Sequence, residues 1–401
     1  MFNVKKSISR LAGLFILIFV FASMFFVKPA YAVNVYGHAS FQIRGYRYLN
    51  DHQVQIWFDK GVSSVTTEPG MFKVYQGTGT GGTEIPVVSV PYSDNSNITG
   101  VTGLAPGTTY IITTASGAFT AGQTYTVAIT NTIMPGNGLT LGNYNFRKNP
   151  VFSFVVPDLQ GSYGNTEPVA YYTPYSPNTD VPIEGNLYFS VSIPVQNYSQ
   201  VVSGMKLYKV VGGVGTEVQL DSTFDGTKNG DIYAPVVTDD HTFFFMSLTG
   251  DRYSQLYNLE LNTDYKWHIP AMTTVNNKTI AAQDILFHTQ SSLIPTQITT
   301  APTVTTQGNA LQITWPASND LYDLSHTILV SPAATSYNVY ASTNKYWGFT
   351  KINPTAVTGT PFLTSNASPS LNPGTTYYFR VTSVKDNEEA GFSPYVQGTT
   401  P

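Results

Sequence analysis

The chain has 401 residues, of which 42% are hydrophobic and 11% charged, with a formal net charge of −4 and no cysteine. The lack of cysteine excludes disulfides, thiolate metal sites and thiol catalysis, so each fold must rest on a hydrophobic core large enough to stand alone. Charged residues fall well below the roughly 25% of ordinary globular chains, which leaves a surface of Thr, Ser, Asn, Gly and Tyr without the Lys/Arg footprint that nucleic-acid binding needs.

At the N-terminus, Lys5, Lys6 and Arg10 precede a largely apolar run at 11–27, and Ala30-Tyr31-Ala32 follows. This pattern predicts a secretory signal peptide over residues 1–32, with the mature chain beginning at Val33. An uncleaved membrane anchor is the alternative, because the run approaches the shortest spanning length. The segment carries four cations (Lys5, Lys6, Arg10, Lys28) and no acid, so the remainder of the chain stands at −4 − 4 = −8.

The rest of the sequence shows no long amphipathic helix. Short alternating runs such as Gln53–Phe58, Thr109–Thr113 and Thr124–Ile129 predict strands bounded by turns. Between two of them, Gly77, Gly79 and Gly82 satisfy G-x-G-x-x-G, the spacing of a dinucleotide-binding loop. That fingerprint requires a helix after the glycines, to seat the pyrophosphate on its N-terminus. Thr83 to Pro91, β-branched and broken by Pro86 and Pro91, predicts a strand and therefore a hairpin. The motif has a counterpart: Lys73, Tyr75, Thr83 and Glu84 reappear as Lys206, Tyr208, Thr216 and Glu217, each displaced by 133. The same displacement maps Ile56 onto Phe189, Val74 onto Leu207 and Phe154 onto Phe287, while residues 125–129 fit 265–269 at 140. Residues 33–157 and 167–290 therefore read as two copies of one domain.

The second copy opens with Tyr175-Ser176-Pro177-Asn178-Thr179-Asp180-Val181-Pro182, followed by LYFSVSIPV, and the first contains Phe58-Asp59-Lys60-Gly61-Val62. These segments resemble the bacterial immunoglobulin-like domain of S-layer and adhesin-type proteins, with its S-P…D-V-P turn and its FDKPV-like strand end. The first copy departs from that pattern in Gly61, where proline is usual, and lacks the opening turn. The second has Val191 in place of the phenylalanine.

Residues 296–401 differ. Leu311, Ile313 and Trp315 share one face of a predicted strand, residues 336–341 (SYNVYA) supply another, and Leu371-Asn372-Pro373-Gly374-Thr375-Thr376-Tyr377 leads into Phe379 and Val381. A tryptophan strand, a tyrosine strand and an L-x-P-G-T-x-Y corner in this order resemble a fibronectin type III domain. The resemblance implies that Tyr377 ties its hydroxyl back to the preceding loop. The same heptad occurs at 104–110. Residues 158–174 and 289–301, short and proline-containing, are the expected linkers, which would hold the domains in a semi-extended rod.

The candidate chemistry is sparse. The histidines (His38, His52, His241, His268, His288, His326) lie far apart without an H-x-x-x-H pair, and no G-x-S-x-G elbow occurs. Asp239-Asp240 and Glu388-Glu389 are adjacent pairs, which on a strand would point to opposite faces and serve poorly as acid/base partners. Residues 221–231, around Asp225, offer oxygen ligands for calcium but lack the D-x-D-x-D-G order and place Lys228 among them; a polar hairpin is the other reading. Tyr163, Tyr171, Tyr172 and Tyr175 either stack on sugars or pack a junction between two folds.

No catalytic, cofactor-binding or metal residue is assigned. The expectation is all-β: three tandem β-sandwich domains after the signal peptide, in a secreted, extracellular protein that is not an enzyme. The modules would act as spacer and interaction units at a cell surface or in a matrix, meeting an envelope polymer, a polysaccharide, another surface protein or a second copy, with neither nucleic acid nor, after cleavage, membrane as partner. The alternative is a carbohydrate-binding or accessory protein of an extracellular polysaccharide-processing system.

Overall fold

Alternating β-branched and aromatic residues stand their side chains on opposite faces of short strands, and among the described residues nearly all regular elements are such strands. The computed structural model describes residues 43–58, 68–93, 109–129, 151–159, 161, 163–174, 178–181, 183, 186–218, 220–221, 232–233, 235–247, 259–322, 329–386 and 388–401. The signal segment at 1–32, the motif at 59–62, the turn at 175–177, His38 and His326 lie outside these residues, as does most of the calcium candidate (222–231).

The first part comprises β1 (Ile43–Asn50), β2 (Gln53–Phe58), β3 (Phe72–Gln76), β4 (Thr83–Ile85), β5 (Thr109–Thr113), β6 (Thr124–Ile129) and β7 (Val151–Val155). They form two sheets, β1-β2-β5 and β4-β3-β6-β7, with Val54, Ile56, Val74, Val127 and Phe154 fully buried between them. The next part comprises β8 (Ala170–Thr173), β9 (Asn178–Val181), β10 (Asn186–Val191), helix α1 (Tyr198–Gly204), β11 (Lys206–Val211), β12 (Val214–Glu217), β13 (Leu220–Asp221), β14 (Ile232–Tyr233), β15 (Val236–Val237), β16 (Phe243–Ser247), β17 (Asp264–Ile269), β18 (Met272–Thr273), β19 (Thr279–Ile280) and β20 (Gln283–Thr289). Its main sheets are β15-β16-β10-β8 and β12-β11-β17-β20-β9.

The two parts repeat one pairing scheme. Tyr75 faces Glu84 as Tyr208 faces Glu217, Val74 faces Val127 as Leu207 faces Trp267, and Tyr125 faces Phe154 as Tyr265 faces Phe287. The same ion pair closes both hairpins, Lys73 with Glu84 (2.7 Å) and Lys206 with Glu217 (2.9 Å). The glycines serve the turns. Gly77 and Gly79 have positive φ, and a Cβ on Gly82 would lie 1.8 Å from the Gln76 carbonyl oxygen. In the second hairpin Gly212 and Gly213, both at positive φ, form the two-residue loop between Val211 and Val214.

The last part comprises β21 (Thr303–Gln307), β22 (Ala310–Thr314), β23 (Leu321–Tyr322), β24 (Leu329–Ser331), β25 (Ser336–Ser342), β26 (Thr350–Lys351), β27 (Phe362–Leu363), β28 (Thr376–Lys385), β29 (Glu388–Glu389) and β30 (Val396–Thr399). Sheet β21-β22-β27 packs against β26-β25-β28, whose β28 also pairs β29 and β30. Leu311, Ile313 and Trp315 are buried together with Tyr337, Val339, Phe379 and Val381.

One corner recurs in all three parts. The Thr120 N–H donates to Tyr125 Oη (3.0 Å), Glu260 N–H to Tyr265 Oη (3.0 Å) and Asn372 N–H to Tyr377 Oη (3.2 Å). Midway through each turn stands a left-handed residue, Gly122 (φ 77°), Asn262 (φ 49°) or Gly374 (φ 64°), a conformation that glycine and asparagine adopt at least cost. The corner of the first part is thus 119–125; the heptad at 104–110 instead leads into β5, and its residues 104–108 lie outside the described ones.

Candidate functional site

The polar and aromatic residues with chemical potential gather where one core meets the next. Sheet β15-β16-β10-β8 buries both faces. On β16, Phe244 and Met246 enter the core of the second part, while Phe243 and Phe245 enter the core of the first. On β10, Phe189 and Tyr188 divide in the same way, as do Tyr172 and Tyr171 on β8. Tyr188 stacks on Phe152 (4.7 Å between ring centroids), and Phe243 meets Tyr46 (5.3 Å) and Trp57 (6.1 Å) edge-on. Gly45 makes room for this contact, since a Cβ there would lie 2.2 Å from the Trp57 ring and 2.9 Å from Phe243. Residues 158–174, expected as a linker, therefore include a sheet strand. Of the tyrosines singled out there, Tyr171 and Tyr172 pack a junction, Tyr163 is half-buried and Tyr175 lies outside the described residues.

The same junction closes a sheet edge. Among the described strands β7 ends its sheet, whereas its counterpart β20 has a further, parallel partner in β9. The β7 backbone is capped by hydroxyls instead. Tyr188 Oη accepts from Ser153 N–H (3.2 Å) and donates to Ser153 C=O (3.1 Å). Ser190 Oγ accepts from Val155 N–H (2.9 Å), and Tyr46 Oη donates to Val155 C=O (2.7 Å). Burial raises the Tyr46 and Tyr188 phenols well above their ordinary range, which keeps them protonated as donors.

A second junction joins residues 68–73 to 344–347. The Glu68 carboxylate accepts from Tyr346 Oη and from Lys345 Nζ (3.2 Å), and Trp347 Nε1 donates to Gly70 C=O (2.6 Å). The Tyr346 ring is 9% exposed and belongs to the core of the first part, while Lys73 Nζ lies 5.3 Å from the Trp347 ring centroid. The Tyr346 and Lys345 bonds hold the Glu68 carboxyl below the usual range. Arg380 supports the loop from behind: Nη2 donates to Lys345 C=O (3.3 Å), and its guanidinium lies 4.8 Å from Phe349 and 5.7 Å from Tyr395. Burial lowers this guanidinium to about 9, still charged at neutral pH. These contacts join the first and last parts directly. The second linker is likewise tied down: Ile298 is buried, and Gln297 Nε2 donates to Phe392 C=O (2.7 Å).

The remaining candidates are spent singly. His52 binds Asp51 (2.6 Å), His268 binds Asp284 (2.7 Å), His288 binds Asp264 (2.7 Å), and His241 stacks on Tyr198. Asp240 holds a turn through Thr238 Oγ1 (2.6 Å) and Thr242 Oγ1 (2.9 Å). Glu389 is half-buried on β29 and accepts from Asn338 Nδ2 (3.1 Å) and Tyr340 Oη (2.7 Å). Among the described residues no group of three or more His, Cys, Asp or Glu is placed to hold a metal ion, and no helix is long and apolar enough to cross a membrane.

What the sequence reading missed was the two-faced sheet. Its signal was present: residues 243–246 read Phe-Phe-Phe-Met, an apolar run without alternation, as expected of a strand buried on both sides.

No known protein family and no curated protein matches the sequence. Among solved structures, chicken CNTN1 FN1-FN3 domains align over 90% of this chain and 99% of that one, at 9% identity and a TM-score of 0.22. The N-terminal part of the bacterial S-layer protein SbsC aligns over 62% of this chain and 44% of that one, at 14% identity and a TM-score of 0.22. A longer SbsC structure aligns over 90% and 41%, at 12% identity and the same TM-score. The chain thus spans less than half of those S-layer structures, and likenesses of this size bear on neither family nor function.

Proposed function

We propose that the chain is a secreted, non-enzymatic cell-surface or matrix protein whose β-sandwich modules act as spacer and interaction units. In this reading residues 1–32 are a cleaved export signal, 33–157 and 167–290 are immunoglobulin-like modules, and 296–401 is a fibronectin type III module. The observation that carries it is the locking of one fold onto the next. Side chains of β8, β10 and β16 fill two cores at once, and Tyr346 of the last fold enters the core of the first. A protein that spends its aromatic and hydroxyl groups on fixing modules to one another gains stiffness, which suits a load-transmitting or spacing role. Its working surface is then a Thr/Ser/Asn face poor in charge, suited to an envelope polymer, a polysaccharide or another surface protein. The test is co-sedimentation of residues 33–401 with cell-envelope fragments beside affinity electrophoresis in polysaccharide gels. Retention on envelopes is the expected result. A chain that passes freely through both would refute the reading.

A further inference from the structure

Most sheet edges among the described residues carry a blocking device. The β7 edge is capped by hydroxyls. The segment from Val88 to Ser93, with Pro91, covers β5. Glu84 sits on β4, Glu217 on β12, Lys351 on β26 and the Glu388-Glu389 pair on β29. Charge and proline are the ordinary means of preventing edge-to-edge association.

Strand β21 has neither. Its sequence is TVTTQ, four of its five residues are exposed, and among the described strands its ladder runs to β22 alone. The Gly308-Asn309 loop joins Gln307 to its partner Ala310. In a two-residue hairpin the closing pair exchanges both bonds, and alternate pairs follow suit. Thr303, Thr305 and Gln307 therefore turn their backbone groups toward β22, and Val304 and Thr306 turn theirs to the side away from it. The surroundings are neutral as well: no residue from 289 to 319 or from 352 to 379 is charged, so the whole sheet β21-β22-β27 lacks charge.

We propose that β21 is a self-pairing edge, through which two copies of the chain join antiparallel about a two-fold axis at Thr305. Val304 of each copy then exchanges backbone bonds with Thr306 of the other, and the two Thr305 residues stand opposite each other. A second copy suits the edge because a strand pairing antiparallel with itself is its own complement about a two-fold axis, and the chain outside the signal segment, at −8 as a whole, places no charge here. Copies of such a chain repel wherever acids lie, and this sheet is a place where they approach without that penalty. A contact of one short strand is small, in the size range of weak and reversible association. The inference deepens the proposed role as a self-associating module.

The test uses residues 33–401 in sedimentation velocity across a wide concentration range, with Thr305→Lys and Thr306→Pro beside the parent chain. Lysine places like charges opposite each other across the axis. Proline removes one outward N–H at a position where an edge strand tolerates it. The parent's weight-average mass should climb from one chain toward two, while both variants stay at one chain with unchanged melting temperature. Hydrogen exchange on the parent gives a second reading that needs no variant: the Val304 and Thr306 amides should slow as concentration rises. A parent that stays monomeric, variants that associate as the parent does, or amides indifferent to concentration would overturn the proposal. So would protection of those amides only on adding envelope fragments, which would assign the edge to another protein's strand. A chain that dimerises through β21 yet ignores envelopes would refute retention and leave the pairing standing.

Discussion

Replacing Tyr188 by phenylalanine keeps the ring stacked on Phe152 and removes only the hydroxyl, so it isolates the capping of β7. That hydroxyl accepts from Ser153 N–H (3.2 Å) and donates to Ser153 C=O (3.1 Å), both in a buried setting. A buried donor or acceptor left unsatisfied costs about 1–3 kcal/mol. The two groups belong to one residue and relax together, so the expected loss is about 2–4 kcal/mol rather than twice the single value. Chemical denaturation of residues 33–401 measures the loss, and hydrogen exchange at the Ser153 amide locates it, since that amide should become the fastest-exchanging of β7. Tyr208→Phe, on the outer face of β11 and half-buried, is the control and should stay within about 0.5 kcal/mol of the parent. If Tyr188→Phe matched that control and Ser153 kept its protection, the edge would be satisfied by something other than this hydroxyl, and the account of the junction would be wrong.

Three further outcomes are expected. Among the corner tyrosines, Tyr125→Phe and Tyr265→Phe, both buried, should cost about 1–3 kcal/mol, and Tyr377→Phe, whose Asn372 partner is exposed, should cost less; equilibrium unfolding of each variant gives the ranking. Gly45→Ala should destabilise by about 1–3 kcal/mol through overpacking against Trp57 and Phe243, and a neutral result in the same assay would place that contact elsewhere. Glu68 is held below the usual carboxyl range, so its contribution is full above the unfolded value of about 4.3 and is lost as pH falls through the folded one. Trp347 emission, obtained by difference from Trp347→Phe, should therefore change on acidification below that value in the parent and stay flat in Glu68→Gln.

The elements of each fold were legible because they are local. Gln53–Phe58 and Thr124–Ile129 announce strands by alternation and β-branching, the glycines of both hairpins announce turns, and the displacement of 133 announced that Tyr75 and Glu84 would be paired in the same way as Tyr208 and Glu217. Tyr377 was legible as a corner because its turn carries proline and glycine. Tyr265 was not, because asparagine takes the left-handed position there and leucine stands where the proline would be. The physics is the same in both corners, but only one uses residues that advertise it.

The contacts between folds were not legible, and the reason is that a buried aromatic reads alike whichever core receives it. Tyr171 and Tyr172 are neighbours of one type on one strand, yet they enter different cores; only the position of β8 between two folds separates them. Glu68 and Tyr346 lie 278 positions apart, with no shared motif to connect them. The low charge content was the one global clue. It posed the question of what blocks the strand edges in a chain with few lysines, and the structure answers it differently from place to place. Hydroxyls from the neighbouring fold cap β7, proline-containing chain covers β5, and single charges guard the short strands. At β21 none of these devices is present. An edge without charge, proline or a hydroxyl cap is a place where association between copies meets little resistance.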